Sequence, residues 1–309
     1  MPPRAAPDAV LNCLIVGASP AGLTAATYLA RFRRDTVVID GGHSRARWIP
    51  ASHNCPGFPF GVAGNELLTR FRAHAEEYGV PVVKAHIEQL TRGDGCFVAS
   101  DGGRQWRARS VILATGVIDR LPDLAGVEDA IASGTVRLCA VCDGYEARDE
   151  IIGVLAPAKL AVDHAEFLRT FSRHVFALES GTGAATDAGI DDALRRRAEA
   201  SGIHLYPAPT HLTLVDGACH ANFADGTSQR LDTLYPVLGA DAQSGLAVRL
   251  GAQLDKEQGL LVDANMQTSI DSLYAIGDVA SGLNQISIAV GHAALAATAV
   301  HRRLPANPR

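Results

Sequence analysis

The sequence predicts an α/β protein built from two three-layer (ββα) units, the second inserted into the first. Three observations predict this. An apolar run, a glycine-containing turn and a helix of small residues open the chain over 12–30. A similar strand–helix–strand order recurs over 151–179. A further apolar run ending in a turn, 273–279, returns after the second unit and completes the first. The division this implies is 1–119 with 241–309 for the outer unit and 120–240 for the insert.

Each element has its own signal. Residues 12–16 form a buried strand, and Ala21, Leu23, Ala25, Leu29 and Ala30 give the next helix its contact face. Thr36-Val37-Val38-Ile39-Asp40 is a second strand, so the opening β-α-β unit has the size of a Rossmann half, about 30 residues. Residues 45–64, rich in Pro, Gly, His and Trp, read as a functional loop, and a helix follows over 66–78. Alternation and turn signals over 82–113 predict short antiparallel strands. In the insert, 151–155 and 175–179 are strand-like. Leu160, Ala161, His164, Ala165, Leu168 and Phe171 fall at helical spacing. Strands and turns fill 204–239, and a helix over 288–304 closes the chain.

Composition excludes several function classes. The 309 residues are 47% hydrophobic and 20% charged, enough for two cores. Net charge is −5, and no like-charge run exceeds Arg195-Arg196-Arg197, which argues against nucleic acid or an anionic membrane as partner. No stretch reaches the roughly 18 apolar residues of a transmembrane helix. Residues 1–8 lack the apolar core of a secretion signal and read as a disordered leader, so the expected location is cytoplasmic. Of six cysteines, Cys13, Cys55, Cys96 and Cys219 are scattered and are expected to be reduced thiols. Only Cys139 and Cys142, in Cys139-Ala140-Val141-Cys142-Asp143-Gly144, have a spacing with its own chemistry.

The pattern Gly17-x-Ser19-x-Ala21-Gly22 places small residues where a strand meets a helix. A pyrophosphate can approach the backbone there and face the amides of the helix start. Pro20 sits at the first helical position, and Asp40 ends the next strand, where a carboxylate can accept from ribose hydroxyls. Ala114-Thr115-Gly116 and Gly277-Asp278-Val279 each end an apolar strand in a turn. Together they favour FAD in the outer unit, with Asp278 able to bond ribityl hydroxyls.

These four elements, in this order and over nearly the whole length, resemble the low-molecular-weight thioredoxin reductases. The resemblance implies FAD in the split outer domain, a redox-active Cys pair and NADPH in the inserted domain, and a homodimer. It assigns Gly17, Ser19, Pro20, Ala21, Gly22 and Asp40 to the adenosine diphosphate part of FAD. It likewise assigns Asn54 and Asp278 to FAD contacts, and Gln285 and Ile286 to the turn whose backbone meets the flavin ring.

A Cys-x-x-Cys at a helix start puts both sulfurs within disulfide reach and exposes a thiolate to the helix dipole. The resemblance places Cys142 toward the flavin and leaves Cys139 for the external thiol. Asp143 is then placed to move a proton to or from a departing thiolate, with helix capping as the competing role. A second Cys/His pair at zinc spacing is absent, so no metal is expected. His53 and His292 fall in segments the resemblance brings near the flavin, where packed or surface histidines are the plainer reading. Cys55 is expected to pack. Trp48 and Phe58 line either a substrate pocket or the core.

The chain departs from the family at the second nucleotide turn. A glycine run is expected after 151–155, and Ala156-Pro157-Ala158 stands there. Each Cβ narrows the approach to a pyrophosphate, and Pro157 has no amide donor. The family's basic cluster is replaced by Leu178-Glu179-Ser180-Gly181, where Glu179 would repel a 2′-phosphate. Lys159 offers a point charge in place of several amides. NADPH is therefore not expected to bind.

Three enzyme readings follow. The first is oxidation of a small dithiol, or of a thioredoxin-like protein, with oxygen as acceptor. The second is disulfide reduction fed by another donor such as ferredoxin. The third is an NADPH-dependent thioredoxin reductase. A redox sensor without turnover is the non-enzyme alternative.

Overall fold

Continuous apolar runs become buried parallel strands, and the alternating ones become the antiparallel flank. The computed structural model describes residues 10–181, 190–280 and 282–308. The leader expected over 1–8 lies outside them. The chain forms two units, residues 1–47, 64–118 and 241–309 in one, and 48–63 with 119–240 in the other.

The first unit opens with β1 (Leu11–Val16), α1 (Pro20–Arg31) and β2 (Thr36–Asp40). It continues through α2 (Gly64–Glu77), β3 (Val82–Lys84), β4 (Gln89–Gly93), β5 (Cys96–Ser100) and β6 (Gln105–Leu113). The sheet runs β3-β2-β1-β6-β5-β4. β3 differs from expectation. It pairs parallel with β2, through Val38↔Val82, and only β4, β5 and β6 are antiparallel to one another. The reason is α2, a crossover that returns the chain in the same direction as β2.

The second unit contains α3 (Val127–Ser133), α4 (Ala140–Asp143), β7 (Ile151–Ala156), α5 (Ala158–Leu168) and β8 (His174–Glu179). After α6 (Asp192–Ala200) comes β9 (His204–Tyr206). A three-stranded antiparallel sheet follows, β10 (His211–Val215), β11 (Ala218–Asn222) and β12 (Ser228–Leu231), and then β13 (Thr233–Pro236). The main sheet, β9-β8-β7-β13, is all parallel, as a β-α-β crossover requires. Trp48 packs beside the buried cluster of Leu124, Ile131, Leu155 and Leu178.

The chain then returns to the first unit with α7 (Gly245–Val248), β14 (Leu273–Ala275) and α8 (Ile286–Arg303). β14 pairs parallel with β6. Successive residues of β1 face opposite ways, as strand geometry demands. Cys13 and Ile15 join a core with α1 and α8, while Leu14 and Val16 join one with Leu90, Phe97 and Leu246. This α/β arrangement is the one the sequence predicts.

Candidate active site

The end of β1 builds a cradle for a dinucleotide. Gly17 has φ +117°, and its N–H donates to the Ile39 carbonyl at 2.9 Å. A Cβ on it would lie 2.1 Å from the Ala114 carbonyl oxygen. Gly22 is needed for another reason, since a Cβ there would meet the Gly17 carbonyl oxygen at 1.9 Å. So Gly17 lets the strand turn, and Gly22 lets α1 settle on that turn. Ala114, at the end of β6, closes the same corner through its N–H to the Val16 carbonyl, 2.8 Å.

The helix start is open to an anion. Ser19 is the N-cap of α1, yet its side chain makes no capping bond, and the first turn holds no acid. The Ser19 hydroxyl instead donates to the Ser44 hydroxyl at 2.6 Å. Pro20 occupies the first turn and Ala21 is buried. Gly277, at φ +68°, brings the second strand-end turn against this corner, 3.1 Å from its ideal Cβ position to the Ala21 Cβ. Asp278 accepts from Arg45 Nη1 at 3.2 Å. Asp40 accepts from the Gly42 amide at 2.9 Å and pairs with Arg72. Thr115 donates to the Gln243 carbonyl at 2.7 Å, and Gly116 has φ +68°. Gln285 is the extended N-cap of α8, and Ile286 its first residue. A cradle that excludes two Cβ atoms, an uncapped helix start and a guanidinium beside Asp278 fit the diphosphate and polyol of FAD.

Asn54 stands apart from this group. It lies in 48–63, within the second unit, and accepts from the Ser52 hydroxyl at 3.2 Å. Ser44, Arg45 and Arg72 were not singled out from sequence. The signal for Ser44 and Arg45 was the basic, polar character of the segment after β2, and Arg72, on α2, had none.

His292 lies on α8 with a buried Nδ1 that has no hydrogen-bond partner. Burial holds its pKa below the ordinary value, against a smaller opposing effect of Asp278. His53, in the second unit, faces Glu146 at 3.9 Å. Cys55 is a buried free cysteine whose thiol pKa burial pushes up.

In the second unit, Cys139 and Cys142 form a disulfide. Cys139 is the extended N-cap of α4, which spans only four residues. The dipole expected of a helix start is therefore that of one turn, and it contributes little. The glycine that follows the pair has a packing reason. A Cβ on Gly144 would meet the Phe171 ring at 2.7 Å and the Ala140 carbonyl at 2.6 Å.

Asp143 is not a cap. α4 has no side-chain cap, and Asp143 Oδ1 accepts from the Tyr235 hydroxyl at 3.0 Å. Its Oδ2 faces Arg137 Nη1 at 3.7 Å. Desolvation raises its pKa to about 6, against the opposing pull of Arg137 and the Tyr235 bond. A carboxyl titrating there can both take and give a proton near neutral pH. Sequence reasoning missed Arg137 and Tyr235.

The turn between β7 and α5 is built differently from that after β1. β7 continues through Ala156, Pro157 is the N-cap at φ −50°, and Ala158 begins the helix. Ala156 and Ala158 are buried, and the Ser180 amide donates to the Ala156 carbonyl at 2.8 Å. Lys159 pairs with Asp163 at 2.9 Å. Arg197 of the Arg195-Arg196-Arg197 run bonds Asp163 and Glu166.

A glycine-turned strand end beside a second such turn, with a disulfide that spans two intervening residues on a separate unit, defines a flavin-dependent oxidoreductase acting on sulfur groups. The comparisons agree. A family model described as pyridine nucleotide-disulphide oxidoreductase matches residues 11–293, and the chain belongs to that family. It is 27% identical over 310 residues to a thioredoxin reductase of Aquifex aeolicus, covering 96% of this chain and 94% of that one. The crystal structure of thioredoxin reductase from Streptococcus pyogenes superposes with a TM-score of 0.84 at 26% identity, over 96% and 98% of the two chains. That of HlmI superposes with a TM-score of 0.86 at 26% identity, over 96% and 92%. Family membership implies FAD. Among the described residues no helix is long and apolar enough to cross a membrane.

Proposed function

We propose that the protein is a thioredoxin reductase-like flavoenzyme that works without NADPH and runs toward dithiol oxidation. A dithiol gives up two electrons and two protons and becomes a disulfide; dioxygen takes both and leaves as hydrogen peroxide. FAD, when bound, supplies the two-electron link between the Cys139/Cys142 pair and oxygen. Gly17, Ser19, Pro20, Ala21, Gly22, Asp40, Ala114, Thr115, Gly116, Gly277, Asp278, Gln285 and Ile286 would hold it, and Asn54 is the residue that the family resemblance adds to them. Cys139 meets the external thiol, Cys142 serves the flavin side, and Asp143 handles the proton. The substrate is a small dithiol or a thioredoxin-like protein, and the enzyme acts in the cytoplasm as a homodimer.

One observation carries the loss of NADPH. Ala156 extends the strand where Gly17 turns away from it, and Pro157 offers no amide. A pyrophosphate there meets a pyrrolidine ring in place of an amide donor, at a helix start with no glycine turn before it.

The alternative is a disulfide reductase fed by NADPH or by another donor such as ferredoxin. The curated relatives named thioredoxin reductase favour it. Anaerobic mixing with NADPH, NADH and dithiothreitol in turn separates the two. Bleaching of oxidised flavin by dithiothreitol alone, with colour restored by air, is expected. Rapid bleaching by NADPH would sink the proposal. Cys142→Ser should abolish bleaching by dithiol.

A further inference from the structure

We propose that Arg137 and Tyr235 are positioning residues for Asp143, fixing its carboxyl in the redox turn as the group that relays a proton between an incoming thiol and the departing cysteine. This rests on thiol exchange at Cys139/Cys142 as read above.

The two residues grip the carboxyl from opposite oxygens. Tyr235 projects from β13, is 1% exposed, and donates to Oδ1 at 3.0 Å and to the Asp143 main-chain carbonyl at 3.3 Å. One hydroxyl thus ties the side chain to its own backbone and fixes the rotamer. Arg137 approaches Oδ2 from the stretch before α4, and its own backbone N–H is anchored to the Leu234 carbonyl at 2.9 Å. Its Nε is buried without a hydrogen-bond partner. A desolvated guanidinium that leaves one donor unmet carries a cost. At 3.7 Å its Nη1 faces the carboxyl and acts on it first through charge. The Asp143 backbone N–H donates to the Cys139 carbonyl at 3.3 Å, so the carboxyl belongs to the same turn as both sulfurs.

The relay balances. The thiolate of a singly deprotonated dithiol attacks Cys139 Sγ. A substrate–Cys139 bond forms, the Cys139–Cys142 bond breaks, and Cys142 leaves as thiolate with the bonding pair. Asp143 takes the proton of the second substrate thiol. That sulfur attacks the first substrate sulfur, Cys139 leaves with the electron pair, and Asp143 returns the proton to it. The substrate loses two electrons and the cysteine pair gains them.

Every charged neighbour on the elements around Asp143 bears on its titration. Arg137 favours the carboxylate, and the Tyr235 bond does so less strongly. Glu146 on the same turn opposes ionisation, and His53 of the 48–63 segment faces Glu146. Glu150 lies near Tyr235. Removing Arg137 or the Tyr235 hydroxyl should therefore move the Asp143 titration upward.

The test uses the FAD-loaded protein under argon, from about pH 4.5 to 9. Carbamidomethylation of Cys139 and Cys142 by iodoacetamide is followed by peptide mass spectrometry on reduced protein, and flavin bleaching by dithiothreitol is followed in parallel on oxidised protein. The wild-type alkylation profile should bend near pH 6. Arg137→Gln should raise the bend by about 1 pH unit, and Tyr235→Phe by less. Arg137→Lys should return it toward wild type, and Asp143→Asn should erase it. If Arg137→Gln does not fold, Tyr235→Phe and Arg137→Lys carry the comparison. A bend unmoved in both variants, or rates that drop equally at every pH, overturns the proposal, as does a wild-type profile without the bend. Bends shifted in the variants, with a wild-type protein that dithiothreitol does not bleach, would uphold the positioning role while removing the oxidase reading.

Discussion

The turns after β1 and after β7 are the same element solved in two ways. Residues 17–19 separate Val16 from Pro20 in the first, and Pro157 alone separates Ala156 from Ala158 in the second. Gly17 takes a conformation that L side chains rarely adopt and packs against the Ala114 carbonyl too closely for any Cβ. Ala156 keeps an extended backbone and its carbonyl serves the Ser180 amide. Both units keep their cores. The β-α-β fold therefore tolerates either way of building the turn, and a handful of atoms sets what the turn presents to a ligand.

The largest effect should follow from making the first turn like the second. Gly17→Ala forces a side chain to φ +117° and sets a methyl 2.1 Å from a carbonyl oxygen. The dihedral alone costs about 1–3 kcal/mol, so flavin occupancy should fall about tenfold or more. Flavin absorbance per polypeptide after purification measures it. Full occupancy in the variant would show that the cradle does not hold the cofactor.

Next in size is Asp143, where the second unit has placed its chemistry. It titrates near 6 in the folded protein against an ordinary value of 3.8. Between those pH values the native state binds the extra proton. The group's contribution is most favourable below 3.8 and is lost as pH rises through about 6. Asp143→Asn should therefore raise stability by about 1–3 kcal/mol at pH 8, with the gain fading toward pH 4, while thiol exchange slows. Urea midpoints at the two pH values test this, and a gain equal at both would refute the burial argument.

The sequence made one turn readable and half-hid the other site. Gly17, Gly22, Gly277 and the Cys pair were legible because their chemistry depends on local spacing. The missing glycines of 156–158 were legible for the same reason. Arg137 and Tyr235 were not. One precedes the pair by a few residues with no motif around it, and the other lies on an apolar strand whose register brings it back after 92 residues. The parallel pairing of β3 was hidden too, because three residues carry too little alternation to set a direction.

Making the second turn like the first should do less. Ala156→Gly adds backbone freedom inside a strand, at about 1 kcal/mol of stability. It should leave FAD and dithiol bleaching unchanged and give no NADPH binding, since Pro157 still offers no amide. Calorimetric titration with NADPH checks this. Binding that appears on this single change would mean that the turn is one methyl group from function and would break the comparison.

Lys159 gives the smallest expected effect and the finest distinction. It lies in the first turn of α5, and a phosphate ligand would need it turned toward the start of that helix. Its side chain is 72% exposed and pairs with Asp163 one helical turn on, an exchange worth about 0.3–0.5 kcal/mol in such helix pairs. Asp163 is also held by Arg197, at 2.7 Å, so it keeps a partner when the lysine is gone. Lys159→Ala should therefore change the thermal midpoint by about 2 °C or less and leave the response to both nicotinamides as it was. If the variant instead loses a measurable NADPH affinity, the lysine has been replacing the missing amides, and the second turn retains a nucleotide site built on side-chain charge.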